Sequence, residues 1–460
     1  MRLKTELYPH QIRAVEKLLP IRVGALYMEM GTGKTRTTLE MIYKRLEAGK
    51  IKHVLWLCPC SVRENLKEDI QKHTEGALAQ IAVYGIESLS SSIKLFEKLL
   101  EYVKASNTML VVDESNLVKN FKAYRTQRII VLAQFCKYRM ILNGTPISRS
   151  EVDLFAQWYI LDWRIFGYRS FWSFANAHIE YDPEIKGKIK RVLNAEYLTS
   201  KIAPYTYQVS MGDCFELPNK RSYECDYSLS YEHRSHYMEV VNYFLAELDE
   251  QRPSTVYRMF TAAQDIISGL YVEDINGHIH TSPMFSNPLD NPRIQKLLEV
   301  IEDIDGQVII FAKFSHEIRS ILQVLPEAIG FYGSLSHKER IRNLQAFKAG
   351  KARFLVANKV CAGYGLNLQF CHNVIFYSND WDYATRLQAE DRVYRLGQEH
   401  KVEIYDIVAE KTLDCKILRC LERKGNLSDE IKDRLKQENN RKTYKSWIMG
   451  EIEDAENVHR

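Results

Sequence analysis

The chain has 460 residues, long for one ordinary domain, with 45% hydrophobic residues, 27% charged residues and a formal net charge of +4. That is the balance of a soluble globular protein with sizeable cores, and no run of roughly eighteen apolar residues is present to span a membrane. The N-terminus, MRLKTELYPHQ, lacks the apolar core of a secretory signal, so a cytoplasmic protein without a membrane partner is expected.

The nine cysteines include no C-x-x-C pair, so no zinc site is expected. Short apolar runs alternate with amphipathic stretches in two blocks. The first block has candidate strands at 25–28, 53–58, 109–112 and 139–142; the second has them at 307–311, 353–357, 374–377 and 402–407. Helical patterns such as 35–48 and 336–349 separate them. Strand–helix alternation predicts an α/β fold of two lobes, each a mostly parallel sheet wrapped by helices. The aromatic-rich stretch 152–288 reads as mainly helical insertions, with Phe155, Trp158 and Tyr159 at core spacing. SPMFSNPLDNP reads as the loop into the second block. The expected division is 1–218 for an N-terminal lobe with its helical insertion from about 150, 219–425 for a C-terminal lobe with a helical lead-in to about 288, and 426–460 for a charged helix or tail.

MEMGTGKT, residues 28–35, follows a strand and opens a helix. Met30, Gly31, Thr32 and Gly33 would wrap backbone N–H groups around phosphate oxygens, Lys34 would reach the terminal phosphates, and Thr35 would hold Mg²⁺. Met28 stands where the general phosphate-loop pattern has its first glycine. MLVVDES places Asp113 and Glu114 at a strand end. Asp113 would hold Mg²⁺ and Glu114 would orient the attacking water, although paired acids after a strand are also common as solvated ends.

These strings together resemble the SWI/SNF-type branch of helicase superfamily two, in a minimal bacterial or phage form. LYPHQIRAV looks like the adenine-side motif, with Gln11 on the base edge. MEMGTGKT is similar to the family's D-E-M-G-L-G-K-T, and VLWLCPCSVRENLKEDI to the motif in which a strand ends in C-P. VVDESNLVKN resembles V-V-D-E-x-H-x-x-K-N with Asn116 in the histidine's place. ILNGTPISRS resembles L-T-G-T-P-I with Asn143 replacing the first threonine. Further on, FYGSLSHKERIRNLQAFKAG, FLVANKVCAGYGLNLQFCHNVIFYSNDWD and QAEDRVYRLGQ match the second lobe, the last being a marker of this branch.

The resemblance implies two RecA-like lobes that bind ATP and Mg²⁺. Arg392 and Arg395, three apart on one face of a short helix, would serve as arginine fingers, with Gln388 and Gly365 also near the nucleotide. It further implies a double-stranded DNA partner, branched or forked DNA included, held by Pro59, Ser61, Gly144, Thr145, Lys313 and Lys359 within the segment 359–367. Lys119, Lys122, Arg125 and Arg128 form a basic cluster that could join them or be a solvated helix face. A monomeric DNA translocase is expected, acting in remodelling, at forks or in annealing; no protein partner is named. The alternatives are a strand-separating DNA or RNA helicase, or a non-catalytic DNA-binding protein with a decayed motor. The inter-lobe stretch LTSKIAPYTYQVSMGDCFELP departs from the remodellers' R-R-x-K-x-x-V.

Overall fold

The computed structural model describes residues 1–144, 151–181, 189–215, 218–247, 253–275, 278–358, 368–381, 383–395 and 397–423. The chain falls into two compact units, Met1–Glu216 and Leu217–Arg460.

Each unit is built on a six-stranded, wholly parallel sheet. In the first, the strands are β1 Val23–Met28, β2 His53–Cys58, β3 Ile81–Gly85, β4 Thr108–Val112, β5 Tyr138–Asn143 and β6 Thr206–Val209, in the spatial order β6-β1-β5-β4-β2-β3. In the second they are β7 Lys220–Tyr227, β8 Val308–Ala312, β9 Ala328–Phe331, β10 Phe354–Asn358, β11 Asn373–Phe376 and β12 Val402–Ala409, in the order β7-β12-β11-β8-β10-β9. Central strands covered by helices on both faces are apolar along their whole length: every residue of β1 and of β4 is buried.

The eight strands expected from the sequence are all present, their bounds shifted by at most two residues. The stretch 152–288 needs correction. It holds the helices Asp153–Asp162, Phe171–His178, Ala195–Ile202, Tyr231–Glu247 and Pro253–Ile267, but also two antiparallel hairpins and the strands β6 and β7. The inter-lobe departure is therefore structural: its TYQV extends the first sheet beside β1. Phe155 and Trp158 are core residues, and the Trp158 indole donates to the Tyr27 hydroxyl at 3.0 Å.

Parallel strands send their C-terminal loops to one edge. The ends of β1, β5 and β4, which are neighbours in the sheet, lead there into the phosphate loop, Gly144 and the acid pair. No helix among the described residues is long and apolar enough to cross a membrane.

Candidate nucleotide and nucleic-acid site

The phosphate loop takes the form its glycines require. Gly31 and Gly33 have φ of 83° and 86°, in the left-handed region that side chains resist. Gly33 caps the helix Lys34–Glu47, and a Cβ there would collide with Nε2 of Gln11. Below the loop, Nε2 of His10 lies 2.8 Å from the Thr32 carbonyl and Gln11 donates to the same oxygen at 3.2 Å, while Gln11 Oε1 accepts from the Tyr8 N–H at 2.9 Å. Gln11 is thus committed to supporting the loop as well as lying near it. The second brace is the inter-lobe stretch, where the Met211 N–H donates to the Glu29 carboxylate at 2.5 Å and Phe215 stands edge-on to Tyr8 and His10. Sequence reading missed His10, Met211 and Phe215, because backbone donors and packing leave no motif.

Nζ of Lys34 donates to the Met28 carbonyl at 2.8 Å, holding its charge at the end of β1. The Gly144 backbone flanks it, and a Cβ added there would stand 3.9 Å from that Nζ. Asp113 completes the group: burial first, then the Glu114 charge, pushes its carboxyl up to about 7, with Lys34 opposing. Glu114 follows at φ 47°, a left-handed conformation costly for a side chain with a Cβ. The short 3₁₀ turn beyond it, Ser115–Val118, is held by the Ser115 hydroxyl donating to Gln157 at 2.5 Å. Asn116 lies in that turn with its Oδ1 buried and without a hydrogen-bond partner among the described residues. Thr35 is engaged by Asp69: burial pushes that carboxyl up, but His73 and a Thr35 hydrogen bond hold it below the ordinary range.

A carboxyl raised in the folded state contributes stability at low pH that is lost as pH climbs from the unfolded value toward 7. Asp113→Asn is therefore expected to melt above the parent at pH 8, with the gap shrinking toward pH 4. Calorimetry across that range checks it, and a gap independent of pH would contradict the buried-acid reading.

Among the expected DNA contacts, Pro59 is half-buried and Ser61 exposed, at the turn after β2. Thr145, Lys359 and Gly365 lie outside the described residues. Lys313, after β8, sits in a polar cluster: it donates to Gln264 at 2.7 Å, pairs with Asp380 at 3.4 Å and lies 3.4 Å from the Trp381 ring centroid. Burial lowers its pKa, and an external phosphate would have to compete with these partners. The basic cluster is dispersed rather than one solvated face. Lys119 pairs with Asp153 at 3.5 Å, Lys122 lies over Trp172, and Arg128 donates to the Leu89 carbonyl at 2.6 Å.

The arginine motif differs from expectation in its backbone. The helix is Tyr383–Glu390, and Arg392 and Arg395 lie beyond it in consecutive turns. The helix ends because the bonding tightens, Arg392 N–H to Ala389 and Val393 N–H to Glu390, while the Arg392 carbonyl accepts from Leu368 at 2.9 Å. Arg392 is buried and Arg395 half-buried; Gln388 is half-buried on the helix itself. Glu390 is occupied by Lys220 and Arg386, each at 2.6 Å. Arg386, unnoticed in the sequence, is the anchor: it bonds Asp406 with Nη2 to Oδ2 at 2.9 Å, donates to Asn379 at 2.9 Å and stacks 3.5 Å from the Phe376 centroid. Arg386→Met would leave Asp406 buried without its cation, at a cost of about 3–5 kcal/mol. A lowered denaturation midpoint in urea is the expected result.

The SNF2-related domain matches residues 10–267 and the helicase conserved C-terminal domain residues 292–397. The chain belongs to the SNF2-related family. A Bacillus subtilis protein, YwqA, provisionally named an ATP-dependent helicase/translocase, is 25% identical over 93% of this chain and 49% of its own length. Protein p41 of Acyrthosiphon pisum secondary endosymbiont phage 1 is 23% identical over 93% of this chain and 98% of its own. Human ZRANB3, a DNA annealing helicase and endonuclease, is 24% identical over 92% of this chain and 41% of its own. The chain thus spans about half the length, or less, of several curated relatives it matches. The SWI2/SNF2 ATPase core of Sulfolobus solfataricus, solved with double-stranded DNA, aligns over 94% of this chain and 93% of its own at 23% identity and a TM-score of 0.40.

Proposed function

We propose that this SNF2-family chain is an ATP-driven motor that moves along double-stranded DNA. The observation that carries the ATPase part is the meeting of Lys34, Asp113 and Gly144 at the ends of three adjacent strands, around a loop whose glycines are already left-handed. Backbone N–H groups of the loop and the Lys34 ammonium would bind the terminal phosphates. Glu114 would orient the attacking water, and Arg392 and Arg395 would stabilise charge on the transferring phosphoryl group. Thr35, once released from Asp69, and Asp113 fit a magnesium ion, whose chemistry when bound is neutralisation of phosphate charge.

The duplex preference rests on the family and on QAEDRVYRLGQ, and a remodelling, fork or annealing role on relatives such as ZRANB3. The deciding experiment measures ATPase rate with no polymer, single-stranded DNA, duplex DNA and RNA, beside triplex displacement and strand unwinding. Stimulation by duplex DNA with triplex displacement and no unwinding supports the translocase. Unwinding would indicate a strand-separating helicase, and no stimulated hydrolysis a decayed motor.

A further inference from the structure

A cavity of about 560 Å³ opens in the first unit at the edge of the sheet opposite the phosphate loop. It is lined by Arg22, just before β1, by Lys137 and Arg139 on either side of the first residue of β5, and by Asp162 and Arg164 at and just past the end of the helix Asp153–Asp162. Because β1 has six residues, the cavity and Lys34 are separated by about 20 Å at about 3.3 Å per residue. The β1–β5 register fixes the two arginines together: Val23 pairs with Arg139, whose N–H donates to the Arg22 carbonyl at 3.0 Å.

The charges do not cancel. The one acid, Asp162, is taken by Arg164 in a fork of 2.6 to 3.1 Å. Among the described residues, Arg139 makes one long 3.5 Å contact, from Nη1 to the Ala133 carbonyl, and its Nε is shielded from solvent without a hydrogen-bond partner. Burial pulls its pKa down, and Asp162 offsets this only in part. Its Nε donor, shielded from water without an acceptor, carries a cost that an anion reaching it would relieve, while the rest of the side chain is half-buried. Four cations line it against one carboxylate, three of them exposed, and the formal surplus of three positive charges suits a ligand with two or three negative ones. Phe135, 43% exposed at the cavity wall beneath Lys104, adds an apolar face.

We propose that this cavity binds a small oligophosphate group, pyrophosphate being the simplest form, with Arg139 as its central donor and Arg22 and Lys137 as flanking charges. Cavity size falls in the range of small-ligand sites, and the bidentate fork of an arginine suits phosphate oxygens.

The test is calorimetric titration of the full chain with inorganic pyrophosphate, in a Lys34→Ala background that weakens the nucleotide phosphate site. Saturable binding is expected, weakened at least about tenfold by Arg139→Gln and lost progressively as salt rises. Should Arg139→Gln fail to fold by circular dichroism, the exposed pair Arg22→Gln and Lys137→Gln decides, with the same direction of effect. Absence of saturable binding, or affinity unchanged in the folded variants, overturns the proposal.

Discussion

Lys34→Ala is expected to abolish DNA-stimulated ATP hydrolysis while leaving the protein folded. Among the described residues the ammonium makes one hydrogen bond, to the Met28 carbonyl at 2.8 Å, and a neutral-acceptor bond of that kind is worth about 0.5–1.5 kcal/mol to stability. Its worth to the reaction is larger. Removing a preorganised donor aimed at developing charge costs about 10²–10³ in turnover, and here the same group also anchors ground-state phosphates. A second consequence follows from electrostatics: Lys34 is the charge opposing the upward push on Asp113, so its loss drives that buried acid further toward the protonated form. The variant should therefore lose phosphate release and nucleotide affinity together. Glu114→Gln, by contrast, should keep nucleotide binding and lose turnover, since Glu114 would act on water and not on phosphate. Phosphate-release rates beside melting curves separate these results; hydrolysis by a folded Lys34→Ala protein would sink the assigned role.

Which parts of the fold were legible follows from burial. All eight strands read from the sequence are accompanied by four that were not, and those four, β3, β6, β7 and β9, are the edges of the two sheets. A central parallel strand is covered on both faces and announces itself as an unbroken apolar run. An edge strand is not, and β7, KRSYECDY, is exposed along most of its length while pairing with β12 over eight residues. Its only sequence mark is β-prone residues without a period, which loops share.

The site divides the same way. Glycines with left-handed φ and acids at strand ends leave fixed spacings, so Gly31, Gly33, Lys34 and the Asp113–Glu114 pair could be read directly. What supports them could not. The Gln11–Thr32 and Met211–Glu29 bonds use backbone atoms that every residue has. Arg386 lies just before the motif string QAEDRVYRLGQ and carries no mark of its own; its partner Asp406 is twenty residues away on another element, and only folding joins them. Lys313, named by resemblance, shows another limit: only the fold reveals that Gln264, Asp380 and Trp381 surround it.

Arg395→Ala should lower ATP turnover by about 10³–10⁵, the range for loss of an arginine finger. Position past the end of the helix Tyr383–Glu390 makes the expectation specific, because the pairs of Arg386 with Asp406 and Glu390 anchor the helix itself. Truncating Arg395 therefore leaves that anchor standing, whereas Arg386→Met removes it. Both variants should be inactive, but for different reasons. Arg395→Ala should melt near the parent temperature and still bind nucleotide, its defect confined to turnover. Arg386→Met should lose stability first. If Arg395→Ala instead lowered stability as much as Arg386→Met, Arg395 would be a structural residue of the turn; if it kept full turnover, the charge that meets the γ-phosphate would have to come from Arg392 alone.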